Sequence, residues 1–406
     1  MRTSPTVVDR GLSLLRRPLP RSTSRPPLVA GAVVPELAER LGRPLRVAVV
    51  RNDGIGDWIL TLPVLTALDA SEHVGTVTIV APAGYRRLLA PSDRFAYLDF
   101  TEGTIIAPPA PGGTLGKVRA VAFPTGSSAL ASGALHRDEF DLVVLPRWDS
   151  DLGFNARAWA VGTHSPIVGQ DPAAVPGTTG RERRESGLLD LAVHDPDAAR
   201  HEVEHHQALL AALGLPTAVA QAFGSAFLGI EPAPAGVRDT VVVHASSNEP
   251  KRQWPIERWT ELIGLMLERF DGQVLVIGSP ADAESIHQIV SGFPERVEGA
   301  PGSIPLGDLP RTLAERARLF VGNDSGPAHI AASVGVPVVV VSPHPLDGDA
   351  THRNSPSRFR PWGEAVRVVQ PAHALGPCTD ACTATSAHCI AQVTVADVTT
   401  AVDSLT

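Results

Sequence analysis

The feature that most constrains the fold of this chain is an alternation of short apolar strands and helical segments, which occurs twice. In the first series, the β-branched stretch Leu45–Val50 precedes apolar residues at helical spacing over 58–68. In the second, Thr240–His244 precedes a helical pattern over 256–270. Strands that alternate with helices form parallel sheets covered by helices on both faces. The sequence therefore predicts an α/β fold with two Rossmann-like parallel domains, which face a central cleft.

The other predicted elements extend both series. Strands are predicted at 76–81, 96–100, Leu142–Leu145, 273–277, 319–322 and 336–341, and helices at 201–213, 282–291, 309–317, 327–334 and 395–405. The stretch 214–238 is dense in Ala, Pro and Gly and is interpreted as the linker. We therefore expect domains at 45–225 and 236–392, with a C-terminal helix over 393–406 that packs back on the first domain. The polar or Pro/Gly-rich stretches 101–117 and 170–187 are predicted to be surface loops.

Residues 1–44 differ from the rest because they are rich in arginine and proline and contain few acids. No apolar segment follows Arg16 and Arg17, so this stretch is not a secretory signal. It is interpreted as a basic arm, which is either a flexible extension or a tether that contacts anionic lipid at a membrane or an anionic acceptor.

Charge and composition exclude other classes of protein. The net charge of −8 argues against a nucleic-acid partner. Abundant Ala, Pro and Gly, with arginine supplying most of the positive charge, is typical of GC-rich bacteria. All three cysteines lie near the C-terminus, which is not a disulfide scaffold and favours a cytoplasmic protein.

The sequence RNDGIGD at 51–57 directly follows the first predicted strand. Gly54 and Gly56 form a glycine loop that permits a tight turn and close approach of a ligand to the backbone. Asp57 begins the next helix, where it either caps the helix or faces the cleft. The third glycine of a dinucleotide fingerprint is missing, which argues against a Rossmann dehydrogenase.

Two motifs in the second series predict a site for a diphosphate. VGNDSGPAH at 321–329 joins a strand to a helix, and a helix N-terminus readily binds phosphate. His329 lies on the first turn and can donate to the same anion; otherwise it is a buried histidine beside a capped helix. HASSNEPKRQWP at 244–255 offers hydroxyls and the cations Lys251 and Arg252. Asp282 follows the next strand and is either a ribose ligand or a helix cap.

The late cysteines Cys378, Cys382 and Cys389 are spaced C-x3-C-x6-C, with His373 and His388 nearby. These residues are enough for a zinc site, although the spacing matches none of the common zinc motifs. A buried structural cluster, a metal site and incidental thiols are the three interpretations.

Taken together, RNDGIGDWILTLPVLTAL, HASSNEPKRQWPIERWTELI and FVGNDSGPAHIAASVGVPVVVV resemble the heptosyltransferases of lipopolysaccharide core synthesis, glycosyltransferase family 9. RFRPWG and CIAQVTVADVTTAV resemble the same family. The resemblance runs from about residue 45 to the C-terminus, with little match over 101–238. It implies a GT-B fold, an ADP-heptose donor and an inverting transfer that requires no metal cofactor.

The resemblance also implies roles for residues. Asp57 matches the catalytic carboxylate, which deprotonates the acceptor hydroxyl. The matches to the diphosphate site are Asp324, Ser325, Gly326 and His329, with Ser246 and Ser247 beside them. Asp282 matches a ribose-binding acid. Two alignments of the basic residue select Lys251 or Arg252; Lys251 is favoured because a compact ammonium suits a diphosphate.

Three other functions remain as alternatives to heptosyl transfer. They are transfer of another hexose from a nucleotide sugar, epimerisation of a nucleotide sugar, and binding of a nucleotide sugar without catalysis. The acceptor is expected to be a glycan or a small natural product.

Overall fold

The computed structural model describes residues 27–51, 53–89, 94–99, 105–106, 140–147, 165–171, 187, 189–231, 234, 238–293 and 295–406. The described elements form two predominantly parallel sheets, each covered by helices. We call the part up to residue 231 the N-terminal unit and the part from residue 238 the C-terminal unit. Residues 1–26 of the basic arm and most of the two predicted loops lie outside the described residues.

The N-terminal unit contains a seven-stranded sheet in the order β4-β3-β2-β1-β5-β6-β7. Its strands are β1 (Leu45–Val50), β2 (Val74–Ala81), β3 (Phe95–Asp99), β4 (Ile105–Ile106), β5 (Leu142–Leu145), β6 (Ile167–Gln170) and β7 (Leu191–Val193). Its helices are α1 (Val33–Leu41), α2 (Ile55–Ala70), α3 (Glu202–Leu213) and α4 (Phe223–Leu228). Neighbouring strands are parallel except for the antiparallel pair β3 and β4. The order of the strands reverses at β1, which lies between β2 and β5, so the loop after β1 lies at a position where parallel sheets bind ligands.

The C-terminal unit contains a six-stranded parallel sheet in the order β10-β9-β8-β11-β12-β13. Its strands are β8 (Thr240–His244), β9 (Gln273–Gly278), β10 (Val297–Pro301), β11 (Ala317–Asn323), β12 (Val338–Val341) and β13 (Val366–Val369). Its helices are α5 (Ile256–Arg269), α6 (Ala283–Val290), α7 (Leu309–Arg316), α8 (Gly326–Ser333), α9 (Pro356–Phe359) and α10 (Val395–Asp403). The order reverses at β8, between β9 and β11, so the loop after β8 occupies the equivalent ligand-binding position.

Helices α2 and α8 are apolar on nearly every side, which is typical of helices surrounded by protein. They pack against each other and connect one apolar core across both sheets. The strands of the second sheet alternate between two cores. In β8, Val242 faces the shared core, while Val241 and Val243 face a second core on the opposite side. This packing places the N-terminus of α2 beside the N-terminus of α8.

Two predictions about the ends of the chain are wrong. The ordered pattern begins before residue 45, because α1 buries Val33, Val34 and Leu37 in the shared core. The C-terminal helix α10 does not pack back on the first domain. Val398 and Val402 lie in the second core with residues of α5, and Arg269 forms an ion pair with Asp403. Apolar residues at helical spacing predict a helix but do not identify the surface that it covers.

The longest described helix, α2, has 16 residues. No helix among the described residues is both long enough and apolar enough to cross a bilayer.

Candidate active site in the cleft between the two sheets

The N-termini of α2 and α8 meet in a cleft of about 750 Å³ lined by both units. The contact is close enough to exclude side chains at two glycines. A Cβ atom on Gly56 lies 2.8 Å from the imidazole ring of His329, and one on Gly326 lies 2.9 Å from Cβ of Ile55. The glycine loop of one unit therefore abuts the predicted phosphate-binding helix of the other.

Asp57 lies in the first turn of α2 and lines the cleft. Its side chain is 25% exposed, and its Oδ1 lies 3.5 Å from Nη2 of Arg51. Burial and the nearby charge of Asp53 raise the pKa of Asp57 from 3.8 to about 7, although Arg51 and Arg147 act in the opposite direction. A carboxylate with this pKa can accept a proton near neutral pH.

A buried network of charged side chains lies next to Asp57. The carboxylate of Asp53 accepts a 2.8 Å hydrogen bond from Nε of Arg51 and a second one from Nη1 of Arg147. The hydroxyl of Tyr85 donates to the carbonyl of Asp53 at 2.7 Å. Because Asp53 accepts hydrogen bonds from both arginines, it holds them in place. Its negative charge also disfavours ionisation of Asp57.

Arg147 and Tyr85 also line the cleft, and neither residue was identified from the sequence. Arg147 follows β5, at the same edge of the sheet as the loop after β1. A cation two residues after a strand was the signal that could have identified it. Tyr85 lies in a 3₁₀ helix over Ala83–Leu88 that no periodic pattern marks.

The opposite wall of the cleft contains α8. Oγ of Ser325 lies 3.1 Å from Nδ1 of His244 and 3.0 Å from the carbonyl of Asn323. The pKa of His329 is lowered to about 4 because the ring is buried, so this histidine is neutral at pH 7. Its Nδ1 has no hydrogen-bond partner among the described residues. The first N–H groups of a helix have no partner within the helix and favour an anion there.

Arg252, rather than Lys251, lines the cleft. Its guanidinium donates to Oδ2 of Asp324 at 3.1 Å and to Oδ1 of Asn354 at 2.8 Å. Lys251 lies outside the lining and pairs with Glu249 at 3.2 Å. The geometry thus argues against the preference for Lys251, because the 3₁₀ turn Pro250–Arg252 directs the second cation, not the first, toward α8. Asn354, which orients Arg252, was not identified from the sequence.

Asp282 also lines the cleft, but its carboxylate has local partners. It accepts 2.7 Å hydrogen bonds from the backbone N–H and the hydroxyl of Ser279. Burial raises the pKa of Asp282, but the hydrogen bonds from Ser279 and Ser246 outweigh burial and lower it overall. Asp282 therefore caps a turn and faces the cleft at once, so both interpretations of its role remain compatible with its position.

The structure brings nearly all the predicted site residues into one cleft. The lining includes Gly54, Gly56, Asp57, Ser246, Ser247, Arg252, Asp282, Asp324, Ser325, Gly326 and His329. Lys251 and the late cysteines are not part of it. The cysteines form a separate cluster with His388. A carboxylate with a raised pKa, a helix N-terminus and an oriented guanidinium can together hold an anionic ligand and accept a proton beside it.

Comparison with known sequences identifies relatives of the chain. The sequence model of glycosyltransferase family 9 (heptosyltransferase) matches residues 173–386, which is more than half of the chain. Lipopolysaccharide heptosyltransferase 1 of Escherichia coli (strain K12) is 33% identical over 146 residues, covering 35% of this chain and 44% of that protein. Lipopolysaccharide heptosyltransferase 3 of the same strain is 30% identical over 134 residues, covering 32% of this chain and 36% of that protein. The chain thus spans less than half the length of these relatives.

Solved structures resemble the whole fold. Escherichia coli heptosyltransferase WaaC with ADP superposes with a TM-score of 0.62 at 21% identity, covering 89% of this chain and 100% of that one. The Escherichia coli ADP-heptose lipopolysaccharide heptosyltransferase II gives a TM-score of 0.56 at 16% identity, covering 89% and 98%. At such identities the likeness shows the fold, and it confirms the predicted GT-B arrangement. The family model, which matches more than half of the chain, shows more than a shared fold. The chain belongs to glycosyltransferase family 9, the heptosyltransferase family.

Proposed function

We propose that this chain is an inverting glycosyltransferase that transfers a heptose from ADP-heptose to an acceptor hydroxyl, with Asp57 as the general base. The observation that carries the proposal is the meeting of Asp57 with the N-terminus of α8 in one cleft. One unit supplies a proton acceptor and the other supplies a site for a diphosphate. An inverting transfer needs both groups at the same anomeric carbon.

The proposed reaction is a single displacement. The acceptor oxygen attacks the anomeric carbon, its proton passes to the carboxylate of Asp57, and the bond between that carbon and the diphosphate oxygen breaks. The pKa of about 7 lets Asp57 act as a base near neutral pH. Arg252 and the N–H groups of α8 stabilise the negative charge that develops on the departing ADP.

The nature of the donor is supported by the family and by the position of Asp282. WaaC, which shares the fold, was solved with ADP and with ADP-2-deoxy-2-fluoro heptose. In this chain Asp282 lies in the cleft with Ser246 and Ser279, where it can accept hydrogen bonds from a ribose. The proposed acceptor, a glycan or a small natural product, approaches from the side of Asp57.

The first test is calorimetric titration of the purified protein with ADP, UDP, GDP and dTDP, each with and without EDTA. We expect ADP to bind most tightly and EDTA to have no effect. Preference for another nucleotide contradicts the ADP-sugar donor but leaves the phosphate site intact. Binding to none of the four contradicts the phosphate site itself.

The variants Arg252→Ala and Lys251→Ala test which cation holds the diphosphate. Loss of a charge-assisted hydrogen bond costs about 1.5–3 kcal/mol, so Arg252→Ala should weaken ADP binding roughly 10- to 100-fold. Lys251→Ala, the matched control one residue away, should change the dissociation constant less than about threefold. A larger loss in the Lys251 variant reverses this assignment.

The role of Asp57 is tested by measuring sugar transfer from ADP-heptose and ADP binding in the same preparation. Asp57→Asn should bind ADP within about threefold of the wild type and lose at least about 100-fold in transfer rate. If Asp57→Asn transfers the sugar at the wild-type rate, Asp57 is not the base.

A further inference from the structure

Four side chains that the proposed reaction does not use converge between β13 and α10. They are Cys378, Cys382, His388 and Cys389, and their ligand atoms all lie within 4.8 Å of one another. The three thiols are free and buried. The cluster lies outside the lining of the cleft.

The distances fit one tetrahedral ion. With zinc–sulfur bonds of about 2.3 Å and a zinc–nitrogen bond of about 2.1 Å, tetrahedral geometry separates nitrogen from sulfur by about 3.6 Å. Nδ1 of His388 lies 3.7 Å from Sγ of Cys378 and 3.5 Å from Sγ of Cys389. The same geometry separates two sulfurs by about 3.8 Å, within the 4.8 Å limit of the cluster.

The surroundings of the sulfurs suit thiolates. The backbone N–H of Thr383 points to Sγ of Cys378 at 3.4 Å, and that of Leu375 points to Sγ of Cys389 at 3.4 Å. Such N–H donors orient metal-bound ligands and offset their negative charge. A cluster of ordinary buried thiols gains little from these donors, because a thiol sulfur is only a weak acceptor.

We propose that Cys378, Cys382, His388 and Cys389 hold one structural Zn²⁺ ion. Three thiolates and one imidazole are a ligand set of structural zinc sites, and four protein ligands leave no open position for catalysis. The segment has little regular structure apart from the 3₁₀ turn Cys389–Gln392, so a metal supplies cross-links that its backbone lacks.

The metal site is linked to the cleft through a loop. Asp380 lies between two of the ligands, and its carbonyl accepts a 2.9 Å hydrogen bond from the backbone N–H of Asp349. The loop that contains Asp349 continues to Asn354, the partner of Arg252 in the cleft. Zinc should therefore stabilise this loop and only indirectly affect ligand binding.

The test is the metal content of the intact chain, purified without chelators and measured by mass spectrometry of the elements. We expect one equivalent of zinc in the wild type and less than about a tenth in Cys382→Ala. His373→Ala is the matched control, because that histidine is close in sequence but its side chain is 78% exposed and paired with Asp347. It should keep its zinc.

A second measurement uses the wild type alone, in case Cys382→Ala does not fold. Modification of the thiols with a mercurial should release one equivalent of zinc to a colorimetric chelator, and exchange with Co²⁺ should produce thiolate-to-cobalt absorption. If the purified chain lacks a metal and two of its cysteines form a disulfide, the proposed site is overturned. One equivalent of iron in place of zinc overturns the assignment of the metal.

Discussion

At the scale of single residues, the chemistry of the cleft depends on how Asp57 is surrounded. Its carboxylate interacts with two acids, Asp53 and Glu202, and with two buried arginines, and burial dominates, so the pKa rises to about 7. The arginines do not reverse the shift because Asp53 already engages both of them. Asp57 can therefore bind and release a proton near neutral pH, although two arginines lie beside it.

Asp57→Asn should stabilise the fold above neutral pH. The pKa of Asp57 rises from 3.8 to about 7 on folding, so the proton stabilises the folded chain fully below pH 3.8, and this contribution is lost as the pH rises through 7. The asparagine of the variant cannot ionise, so the variant does not lose this stability as the pH rises. We expect its melting temperature to match the wild type near pH 4 and exceed it by at least about 2 °C at pH 8, measured by scanning fluorimetry.

The control for this prediction is Glu315→Gln, an exposed acid paired with Arg311 on α7. The difference in melting temperature between Glu315→Gln and the wild type should not increase with pH. An Asp57→Asn variant that melts at or below the wild-type temperature at pH 8 would show that ionisation of Asp57 carries no cost in the folded chain.

The sequence predicted the residues of the site that lie in contiguous motifs and missed those that depend on folding. Gly56, Asp57 and His329 were predicted because each belongs to a contiguous motif that joins a strand to the following helix. Asn354 and Arg147 enter the cleft from segments with no motif, and the structure alone shows their contacts with Arg252 and Asp53. A sequence also cannot determine which of two adjacent cations a short turn directs inward.

At the scale of elements, the candidate site depends on the contact between α2 and α8. Both helices begin with glycine-containing turns, and both are buried over most of their length. Gly56 and Gly326 let the backbones approach, since a Cβ atom at either position lies less than 3 Å from a side chain of the other helix. This close contact is what brings the base and the phosphate site together.

Gly56→Ala should weaken ADP binding and reduce transfer. The added methyl group meets the ring of His329, which is buried and has little room to move. Overpacking of this kind costs about 1–3 kcal/mol, so we expect binding to weaken roughly 5- to 100-fold in calorimetry. Gly84→Ala is the control, since no atom lies within 4 Å of its added Cβ. Equal affinities in the two variants would contradict a functional role for the contact.

The sequence predicted long buried elements well and short peripheral ones poorly. Strands β1, β5 and β8 were predicted with the bounds that the structure shows, because each is a largely apolar, β-branched run in the middle of a sheet. Strands β4, β6, β7, β10 and β13 were missed. All of them except β6 lie at the edges of their sheets, and β7, β10 and β13 are only partly buried, so their apolar pattern is weak. Strand β6 is buried, but it has only four residues, and two of them are Gly169 and Gln170. Helix α4 was missed because it lies in the predicted linker.

At the scale of the whole molecule, a second interface lies beside α3 and connects the two units. The carboxylate of Glu202 pairs with Nη2 of Arg358 at 3.2 Å, and both side chains are almost fully buried. Nearby, Nε2 of His201 lies 2.8 Å from the carbonyl of Arg360, and its ring packs against Trp362 at 4.9 Å. The segment RFRPWG, which resembles the family, therefore fixes the position of one unit against the other.

Arg358→Ala should destabilise both units together. Removing one partner of a buried ion pair leaves an uncompensated charge and costs about 3–5 kcal/mol. We expect the lower end, because the buried guanidinium of Arg51 also interacts electrostatically with Glu202. Urea unfolding followed by tryptophan fluorescence and circular dichroism measures the loss. Arg269→Ala, which breaks the exposed pair with Asp403, should cost less than about 1 kcal/mol.

The double variant Glu202→Gln with Arg358→Met separates the charge from the packing. It removes both charges while retaining volume, so at least half of the stability lost in Arg358→Ala should return. If the double variant is no more stable than Arg358→Ala, the packing of the arginine side chain holds the units together and the ion pair contributes little. If Arg358→Ala lowers the free energy of unfolding no more than Arg269→Ala does, this interface does not couple the units. The contact between α2 and α8 alone then forms the cleft.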